Sequence, residues 1–480
     1  MRVHTLISGA GPTGLTLAID LARRGIPVRI VDKAVRHATG SRGDGLQPRT
    51  LEVFDDLGVI DRVLQAGAPQ PVVIAYRAGA PVRELRMTDP KPPSSAVPYP
   101  NPWTLGQADT EAILRARLAD FGVEVELATE SAAFVADDAG VTATLAHAGT
   151  TEIVRADYLI GADGAHSLVR RTLGIEFDGS TDESTRLLLG DVRADALDHT
   201  HGHWFASDDA ATGIVFSPLP GRRHFQVGMP LRAGLEPGLG LLQDAVDTYS
   251  GRSDIRLTDL AWCTVWRPNI RLARRFRSGR VLLAGDAAHV HPPTGGQGLN
   301  TGIQDAYNLG WKLADGDDEL LDTYDIERRA VAADVLGIST ALLHRATSGA
   351  QDAHRRDHTH QLDITYRDPA ATGTLVPGDR APDASVTDTA GGRLRLFDLY
   401  RGPQHTLLSF GETVSCATDP DVHVWVVRGP GRCADDPGIG RHIIDVDGHA
   451  FRDYDARPGT LILVRPDGHI AARTDPRSSE

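Results

Sequence analysis

A strand, a glycine-rich turn and an amphipathic helix follow one another at the start of the chain. Residues 3–8 are apolar, residues 9–14 spell G-x-G-x-x-G, and a second apolar run, residues 28–31, ends in Asp32. The glycines permit a tight turn and the close approach of a pyrophosphate, and an acid about 20 residues further on can bind a ribose. The pattern predicts a Rossmann-like dinucleotide site rather than a purely structural turn. The residues predicted to hold the dinucleotide are Gly9, Gly11, Pro12, Thr13, Gly14, Asp32 and Lys33.

A second glycine-rich segment lies between residues 280 and 314. An apolar strand ends in Gly285 and Asp286, and after a loop rich in proline and glycine a helix is predicted to begin near Leu299. The first turn of a helix offers unpaired N–H groups and the positive end of the helix dipole. Asp286, at a strand end, can accept hydrogen bonds from sugar-like hydroxyls. This chemistry suits a flavin, whose flat ring would lie against glycines without a Cβ. Those glycines are Gly295, Gly296 and Gly298.

Shorter motifs complete a pattern that is typical of one family. Residues 158–167 read YLIGADGAHS, residues 41–43 read Ser-Arg-Gly, and Gln107 precedes a predicted helix. In this order and spacing the chain resembles the flavin-dependent aromatic hydroxylases, the class A monooxygenases built like para-hydroxybenzoate hydroxylase. The resemblance covers about residues 1–345 well and the rest more loosely. Within the family it points to the hydroxylases that modify aromatic polyketides and end in a thioredoxin-like domain.

The resemblance implies an α/β fold with three parts. These are a Rossmann-like FAD-binding domain of the GR2/PHBH type, a mixed or antiparallel β-sheet substrate domain and a C-terminal thioredoxin-like domain. Alternation of apolar and polar residues supports the middle sheet. The last domain is expected to lack disulfide chemistry, because Cys416 and Cys433 do not form the C-x-x-C of a working thioredoxin. The expected bounds are 1–174 for the first part of the FAD-binding domain, 175–275 for the substrate domain, 276–345 for the second part of the FAD-binding domain, 346–375 for a linker and 376–480 for the thioredoxin-like domain.

The resemblance also implies a reaction. NADPH or NADH would reduce FAD, O2 would add at the flavin C4a position, and the resulting hydroperoxide would hydroxylate an electron-rich aromatic ring. A dry cavity would limit loss of the hydroperoxide as hydrogen peroxide. The chain has no second G-x-G-x-x-G for the nicotinamide, as the family resemblance leads us to expect. The choice between NADPH and NADH stays open.

Specific residues receive roles from the resemblance. Arg42 and Gln107 would contact FAD, Asp163 would hold the pyrophosphate side through water or backbone, and Asp286 would bind the ribitol. Structural alternatives are a surface ion pair of Arg42 with Asp44, a plain turn at Asp163 and a cap at Asp286. The remaining expected cofactor contacts are Gly285, Pro293 and the backbone N–H groups of Gly298, Leu299 and Asn300. The catalytic loop beside C4a, where stiffness and missing N–H donors suit a reactive peroxide, is assigned to Pro292, Pro293 and Gly296.

Composition limits the partners. The net charge of −14 argues against nucleic acids and acidic membranes as partners. Three cysteines without a framework, and an amino terminus unlike a signal peptide, favour the cytoplasm. His289 and His291 supply too few ligands for a metal ion, so no metal is expected. The expected partner is a small aromatic molecule, and the protein is expected to be a monomer or homodimer.

Three functions remain open from the sequence. The leading one is hydroxylation of a polycyclic aromatic, such as a polyketide antibiotic intermediate. The second is a Baeyer–Villiger oxygenation or the inactivation of an antibiotic, which the same peroxide could perform. The third is a flavin-binding protein without turnover, which the intact cofactor motifs argue against. No base for a phenol can be named; His203, His224 and Gln226 are candidates in the middle sheet only.

Overall fold

The chain forms two compact units in the computed structural model. The described residues are 2–206, 213–232, 234–292, 295–347, 357–411, 421–430 and 441–476. The first unit comprises Met1–Thr50, Val59–Asp89 and Asn101–Thr359. The second unit comprises Leu51–Gly58, Pro90–Pro100 and His360–Glu480.

The described chain contains both helices and strands, with several runs of consecutive strands. The helices are α1 Pro12–Arg23, α2 Pro48–Asp56, α3 Ile60–Ala66, α4 Gln107–Ala119, α5 Leu168–Thr172, α6 Leu239–Ser250, α7 Gly298–Asp315, α8 Asp318–Thr347, α9 Leu396–Tyr400 and α10 His449–Asp453. The strands are β1 Arg2–Ser8, β2 Val28–Val31, β3 Gly45–Leu46, β4 Ala68–Pro69, β5 Val73–Arg77, β6 Ala80–Leu85, β7 Trp103–Thr104, β8 Val125–Glu126, β9 Thr129–Asp137, β10 Gly140–His147, β11 Thr150–Gly161, β12 Phe177–Thr181, β13 Leu187–Arg193, β14 Gly202–Ala206, β15 Gly213–Pro218, β16 His224–Pro230, β17 Thr258–Trp266, β18 Asn269–Ala273, β19 Arg277–Ser278, β20 Val281–Leu283, β21 His289–Val290, β22 Ser385–Asp388, β23 Arg393–Arg395, β24 His405–Phe410, β25 Val422–Arg428, β26 Arg441–Ile444, β27 Leu461–Val464 and β28 Ile470–Thr474. Two 3-10 turns are Gly285–Ala287 and Asp357–His360.

A sheet with a parallel centre organises the first unit. Strands β20, β11, β1, β2 and β8 lie side by side and parallel, while β10 and β9 extend the first half of β11 as an antiparallel ribbon. Leu6 and Ile7 in β1, and Leu159 and Ile160 in β11, are fully buried. Strands covered on both faces need such continuous apolar runs. Because the central strands are parallel, the chain leaves each of them at the same edge of the sheet.

A second, largely antiparallel sheet follows the order β17-β13-β16-β15-β14-β5-β6. Five of its strands, β13 to β17, lie within residues 175–275, the predicted substrate domain. Helix α6 covers one face, where a buried cluster includes Phe205, Phe216 and Phe225. Two strands, β5 and β6, come instead from residues 73–85. The predicted bounds put these residues in the first domain. The pairing partner of β5 is β14, which lies far along the chain, so no local pattern marks the pairing.

The second unit contains its own sheet, in the order β23-β22-β26-β25-β24-β27-β28. Strands β24, β25 and β26 are parallel, and β27 and β28 are antiparallel to their neighbours. A separate buried cluster, which includes Phe410 and Tyr454, lies within this unit. Cys416 and Cys433 lie outside the described residues, so the expectation about their redox state stays a prediction.

The compact units do not follow the predicted domain bounds at every point. Residues 360–375, part of the predicted linker, belong to the second unit, where the Tyr366 N–H donates to the Gly378 carbonyl at 2.8 Å. Residues 51–58 and 90–100 also belong to that unit. The predicted bounds therefore remain a proposal. Among the described helices, none has a stretch that is both long and apolar enough to span a bilayer.

A buried ion pair lies inside the second unit. Arg380 donates through Nε to the Glu52 carboxylate at 2.8 Å and through a terminal nitrogen to its other oxygen. The exposed fractions of the two side chains are only 10% and 2%. The Arg380 guanidinium also donates to the Ala96 carbonyl at 3.1 Å. Removing one partner of such a pair leaves the other charge buried without compensation.

We expect Glu52→Ala to lower the free energy of unfolding of the second unit by about 3–5 kcal/mol. The matched control is Glu176→Ala, whose carboxylate pairs with Arg274 at 2.7 Å while both side chains are 61% exposed. That control should cost less than about 1 kcal/mol. Denaturant-induced unfolding, monitored by circular dichroism, would measure the free energy of unfolding of both variants. Equal effects in the two variants would contradict the prediction.

Candidate active site

The carboxyl ends of the parallel strands bring the predicted motifs together. Ser8 at the end of β1 pairs with Gly161 of β11 and with Val31 of β2, and Gly161 pairs with Leu283 of β20. Gly9 follows Ser8 and Asp32 follows Val31 directly, while Asp163 and Gly285 each lie two residues after Gly161 and Leu283. Open α/β sheets bind ligands at this edge. Segments up to 275 residues apart in sequence therefore meet at one place.

The three glycines of the first motif have different surroundings. Gly9 has φ +106°, and a Cβ there would lie 2.2 Å from the Ala162 carbonyl oxygen. A Cβ at Gly14 would lie 2.0 Å from the Gly9 oxygen, whereas a Cβ at Gly11 would meet no atom within 4 Å. Gly11 caps α1 without a side-chain hydrogen bond, so no side-chain cap competes with an anion for the first N–H groups of this helix. The open space over Gly11 fits a pyrophosphate.

Asp32 holds the glycine turn from the end of the neighbouring strand. Its carboxylate accepts from the backbone N–H groups of Ala10 and Ala34, each at 2.8 Å. A carboxylate has about four acceptor positions, so capacity remains for the predicted ribose contact. Lys33, next to it, is exposed.

Asp163 has one satisfied and one unsatisfied carboxylate oxygen. Oδ2 accepts from the N–H groups of Leu168 and Val169, at 2.7 and 3.2 Å, and so caps α5. Oδ1 is buried and has no hydrogen-bond partner in the described part of the chain. A buried acceptor without a partner is costly unless water or a ligand supplies a donor. The predicted role beside the pyrophosphate is compatible with this orphaned oxygen.

The turn at Gly285 packs against the first helix through Thr13. Gly285 has φ +62°, and a Cβ there would lie 2.5 Å from the Thr13 Oγ1. A Cβ at Gly302 in α7 would also lie 2.5 Å from that oxygen. The Thr13 side chain is thus enclosed between two glycines, which leaves its backbone N–H as the group that could face a cofactor.

Asp286 lines a recess. Its side chain is exposed to solvent, yet desolvation raises the pKa of its carboxyl because protein atoms surround it. The Asp305 carboxylate adds to that rise in pKa, while His289 and Arg42 oppose it. A side chain accessible to water but enclosed by protein lines a cavity, which is where a ribitol-binding carboxylate is needed.

Arg42 and Gln107 lie on two segments that run together. The Gln107 N–H donates to the Gly43 carbonyl at 2.8 Å, and its side-chain amide donates to Glu111 at 2.8 Å. Burial raises the pKa of Glu111, and Arg42 is among the groups that lower it. Arg42 therefore lies near both Glu111 and Asp286. It is exposed and makes no hydrogen bond or ion pair within the described residues, so it is available to a cofactor phosphate.

Asp44, the alternative partner considered for Arg42, binds another residue. Asp44 accepts from the Ser217 hydroxyl of the second sheet at 3.0 Å. The surface pair of Arg42 and Asp44 does not form.

The second sheet fixes the segment around Arg42, a contact that sequence reasoning missed. The Ser41 N–H donates to the buried carboxylate of Asp191 at 2.8 Å, and the Gln226 amide donates to the Ser41 carbonyl. The Trp262 ring fills the space where Gly40 would have a Cβ. Asp191 and Ser41 are 150 residues apart, and no local pattern marks that pairing. A polar residue in an otherwise apolar strand was the one available signal.

The three candidate bases each contact other groups of the protein. His203 is buried under α6, with its ring nitrogens 3.1 Å from the Tyr76 hydroxyl and 2.8 Å from the Asp198 carbonyl. His224 pairs with Asp259 at 3.0 Å. Gln226 contacts the Ser41 carbonyl.

The start of α7 presents backbone N–H groups. Helix α7 begins at Gly298, one residue before the predicted position, and its cap residue Gln297 makes no side-chain cap bond. The buried side chain of Asn300 accepts from the Gln47 N–H at 2.8 Å and donates to the Gly45 and Gly296 carbonyls at 2.9 and 2.6 Å. Asn300 thus fixes the loop, while the uncapped first turn remains a site for negative charge.

The catalytic loop is only partly described. Pro292 is buried. Gly295 and Gly296 have φ values of +94° and +62°, which suit glycine. Pro293 lies outside the described residues, so its predicted role stays a prediction.

Four buried polar side chains lie behind this loop. The Asp305 carboxylate accepts from the Gly285 N–H at 3.0 Å and from the Arg328 Nε at 2.8 Å, and lies 2.6 Å from the His289 Nε2. The His289 Nδ1 lies 2.8 Å from the His291 Nε2. Burial alone would raise the pKa of Asp305, but His289 and Arg328 together lower it to about 2. We name this group, Arg328–Asp305–His289–His291, the histidine chain. Across the described residues no cluster suited to a metal ion occurs.

Comparisons with known proteins agree with this geometry. The model of the FAD binding domain family matches residues 2–339. A flavin-dependent monooxygenase of Mycobacteroides abscessus is 42% identical over 98% of this chain and 97% of its own length. The 6-methylpretetramide 4-monooxygenase of Streptomyces rimosus is 33% identical over 98% and 90%. A crystal structure of aklavinone-11 hydroxylase with FAD and aklavinone superposes with a TM-score of 0.81 at 27% identity, covering 100% of this chain and 96% of that one.

The chain belongs to the FAD binding domain family of flavin-dependent monooxygenases. The predicted family, the α/β fold of the GR2 type and the enzyme class are confirmed. Binding of FAD is supported by the same matches. The open space over Gly11, the orphaned Asp163 oxygen and the recess at Asp286 fit this cofactor. The individual contacts remain predictions.

We expect Asp286→Ala to purify largely without FAD, with affinity for added FAD at least about tenfold lower, because hydrogen bonds to a charged acceptor contribute about 1.5–3 kcal/mol. Absorbance of bound flavin and a fluorescence titration would measure this. The control is Asp138→Ala, which changes an exposed turn residue and should leave FAD content unchanged. Full flavin occupancy in Asp286→Ala would refute the ribitol assignment.

Proposed function

We propose that this protein hydroxylates a polycyclic aromatic phenol of the polyketide type, with FAD as cofactor, NADPH or NADH as electron donor and O2 as oxidant. When bound, the flavin supplies transfer of one oxygen atom from its C4a position. The chain's own residues bind the cofactor, orient the substrate and exclude water.

The observation that supports this substrate class is a row of residues across the second sheet. Strand pairing aligns them side by side: Ala75, Trp204, Val215, Gly228, Leu189 and Thr264. Their side chains point away from the α6 side, because the residues that alternate with them form the buried cluster. Val215 is 39% exposed, and most of the others are partly exposed. An apolar row with a tryptophan and a glycine can receive a flat ring system.

The adjacent row on the same face consists of Ser217, Gln226, Asp191 and Trp262, the residues that contact the segment around Arg42. Successive residues on one face of a strand are about 7 Å apart. A ring system on the apolar row would therefore lie beside the proposed cofactor. Two similar proteins act on, or bind, molecules of this kind: 6-methylpretetramide 4-monooxygenase and aklavinone-11 hydroxylase.

The second unit is proposed to be thioredoxin-like without redox chemistry. Its parallel strands β24, β25 and β26, followed by the antiparallel β27 and β28, support this proposal. A role in association or stability would follow.

The experiment that tests the function is anaerobic reduction of the holoenzyme by NADPH and by NADH, with and without a panel of anthraquinone-like phenols. We expect one class of phenol to accelerate bleaching of the flavin, and aerobic turnover to give a product heavier by one oxygen with its rings intact. A product with an expanded ring would instead indicate a Baeyer–Villiger reaction. Flavin reduction and oxygen consumption that no aromatic compound affects would refute the proposal.

Trp204→Ala should raise the KM for the accepted phenol about tenfold or more, because loss of an aromatic contact removes about 0.5–1.5 kcal/mol beyond the buried area. FAD content should not change. Val135→Ala, which removes an exposed apolar side chain from β9, is the matched control and should leave KM unchanged. An unchanged KM in Trp204→Ala would exclude the apolar row as the substrate surface.

A further inference from the structure

The histidine chain is continuous in its hydrogen bonding. Asp305 is ionised, because His289 and Arg328 lower the pKa of its carboxyl, and it lies 2.6 Å from the His289 Nε2. The His289 Nδ1 and the His291 Nε2 lie 2.8 Å apart and share one proton. The other ring nitrogen of His291, Nδ1, takes no part in the chain.

That nitrogen is buried and unpartnered. The His291 side chain is 8% exposed, and its Nδ1 has no hydrogen-bond partner within the described residues. The ring lies at the start of α7, with its Cδ2 3.9 Å from the position that a Cβ on Gly298 would occupy. A basic nitrogen is therefore fixed where the first turn of α7 attracts negative charge.

We propose that the histidine chain takes up a proton from solvent when the bound flavin is reduced, and so neutralises the negative charge that reduction creates at the start of α7. The proposal rests on the seating of the flavin against this helix in the proposed function. It gives the H-x-H motif, which no cofactor contact uses, a part in the reaction.

The balance of the step is simple. Hydride transfer from the nicotinamide delivers two electrons and one proton to the flavin, which is left with one negative charge. One further proton from water binds the His291 Nδ1. The Nε2 proton of His291 can then move to the His289 Nδ1, so that the positive charge is shared over both rings beside the Asp305 carboxylate. No other bond forms or breaks.

The groups around His291 determine how its pKa changes when the flavin is reduced. Burial lowers the pKa of His291 well below its usual value, His289 lowers it further, and Asp305 opposes this. The oxidised protein therefore keeps His291 neutral at physiological pH. An opposite charge within about 4–6 Å shifts a pKa by one to three units, so flavin reduction should raise the proton affinity of the ring tenfold or more. Two other charged groups act on the chain: Arg328, which donates to Asp305, and Asp286, which interacts with His289 and Asp305.

The test is the pH dependence of the reduction potential of bound FAD between pH 4 and 9, measured against reference dyes. Its slope gives the number of protons taken up per two electrons. For the wild-type holoenzyme we expect an interval of about one to three pH units in which two protons are taken up, one proton at higher pH, and the absorbance of the anionic reduced flavin. In His291→Gln, whose side-chain amide can still donate to the His289 Nδ1, we expect about one proton throughout.

His291→Asn, which also removes the proton-accepting ring, serves as a second variant if His291→Gln binds no flavin, and should also give about one. His4→Gln, which alters a half-buried histidine at the opposite end of β1, should keep two. A wild-type value of one at every pH, or a value of two in His291→Gln, would overturn the proposal while leaving flavin binding and turnover intact. A wild-type protein that binds no FAD would instead refute the proposed function.

Discussion

The Asp305 carboxylate is the interaction on which the cofactor site depends. It lies within α7, is fully buried, and binds the Gly285 N–H, the His289 ring and the Arg328 guanidinium. A single charged group thus connects the end of β20, the strand β21, and the helices α7 and α8. Breaking a buried charge network of this kind is strongly destabilising. The network holds the recess of Asp286 and the start of α7 in one arrangement.

Much of the cofactor site could be predicted because its signals are local. The glycine turn, the Asp286 turn and the start of α7 each depend on a short segment with its own backbone requirements. Their convergence then follows from parallel strands, which end at one edge. Gly9, Gly14 and Gly285 are examples of such backbone requirements, since a Cβ at any of them would collide with protein atoms.

The features that could not be predicted depend on pairings between segments that are distant in the sequence. Asp191 and Gln226 hold the segment around Arg42 from 150 and 185 residues away, and strands β5 and β6 join a sheet built mainly from residues 187–266. The compact second unit likewise includes residues 51–58 and 90–100. One sequence alone does not show which distant polar residues meet. His203 shows the converse error. It was a candidate base from its sequence position, but both of its ring nitrogens contact protein groups on the side of the sheet that α6 covers.

The Thr13 hydroxyl, enclosed between Gly285 and Gly302, has a consequence for how this sequence can change. A Cβ at Gly285 or at Gly302 would collide with the Thr13 hydroxyl, and a larger residue at position 13 would meet two glycines that have no side chain to lose. Positions 13, 285 and 302 are therefore one steric unit, although almost 300 residues separate the first from the last. Either glycine can be replaced only if position 13 becomes smaller, so this contact restricts the evolutionary paths open to the fold.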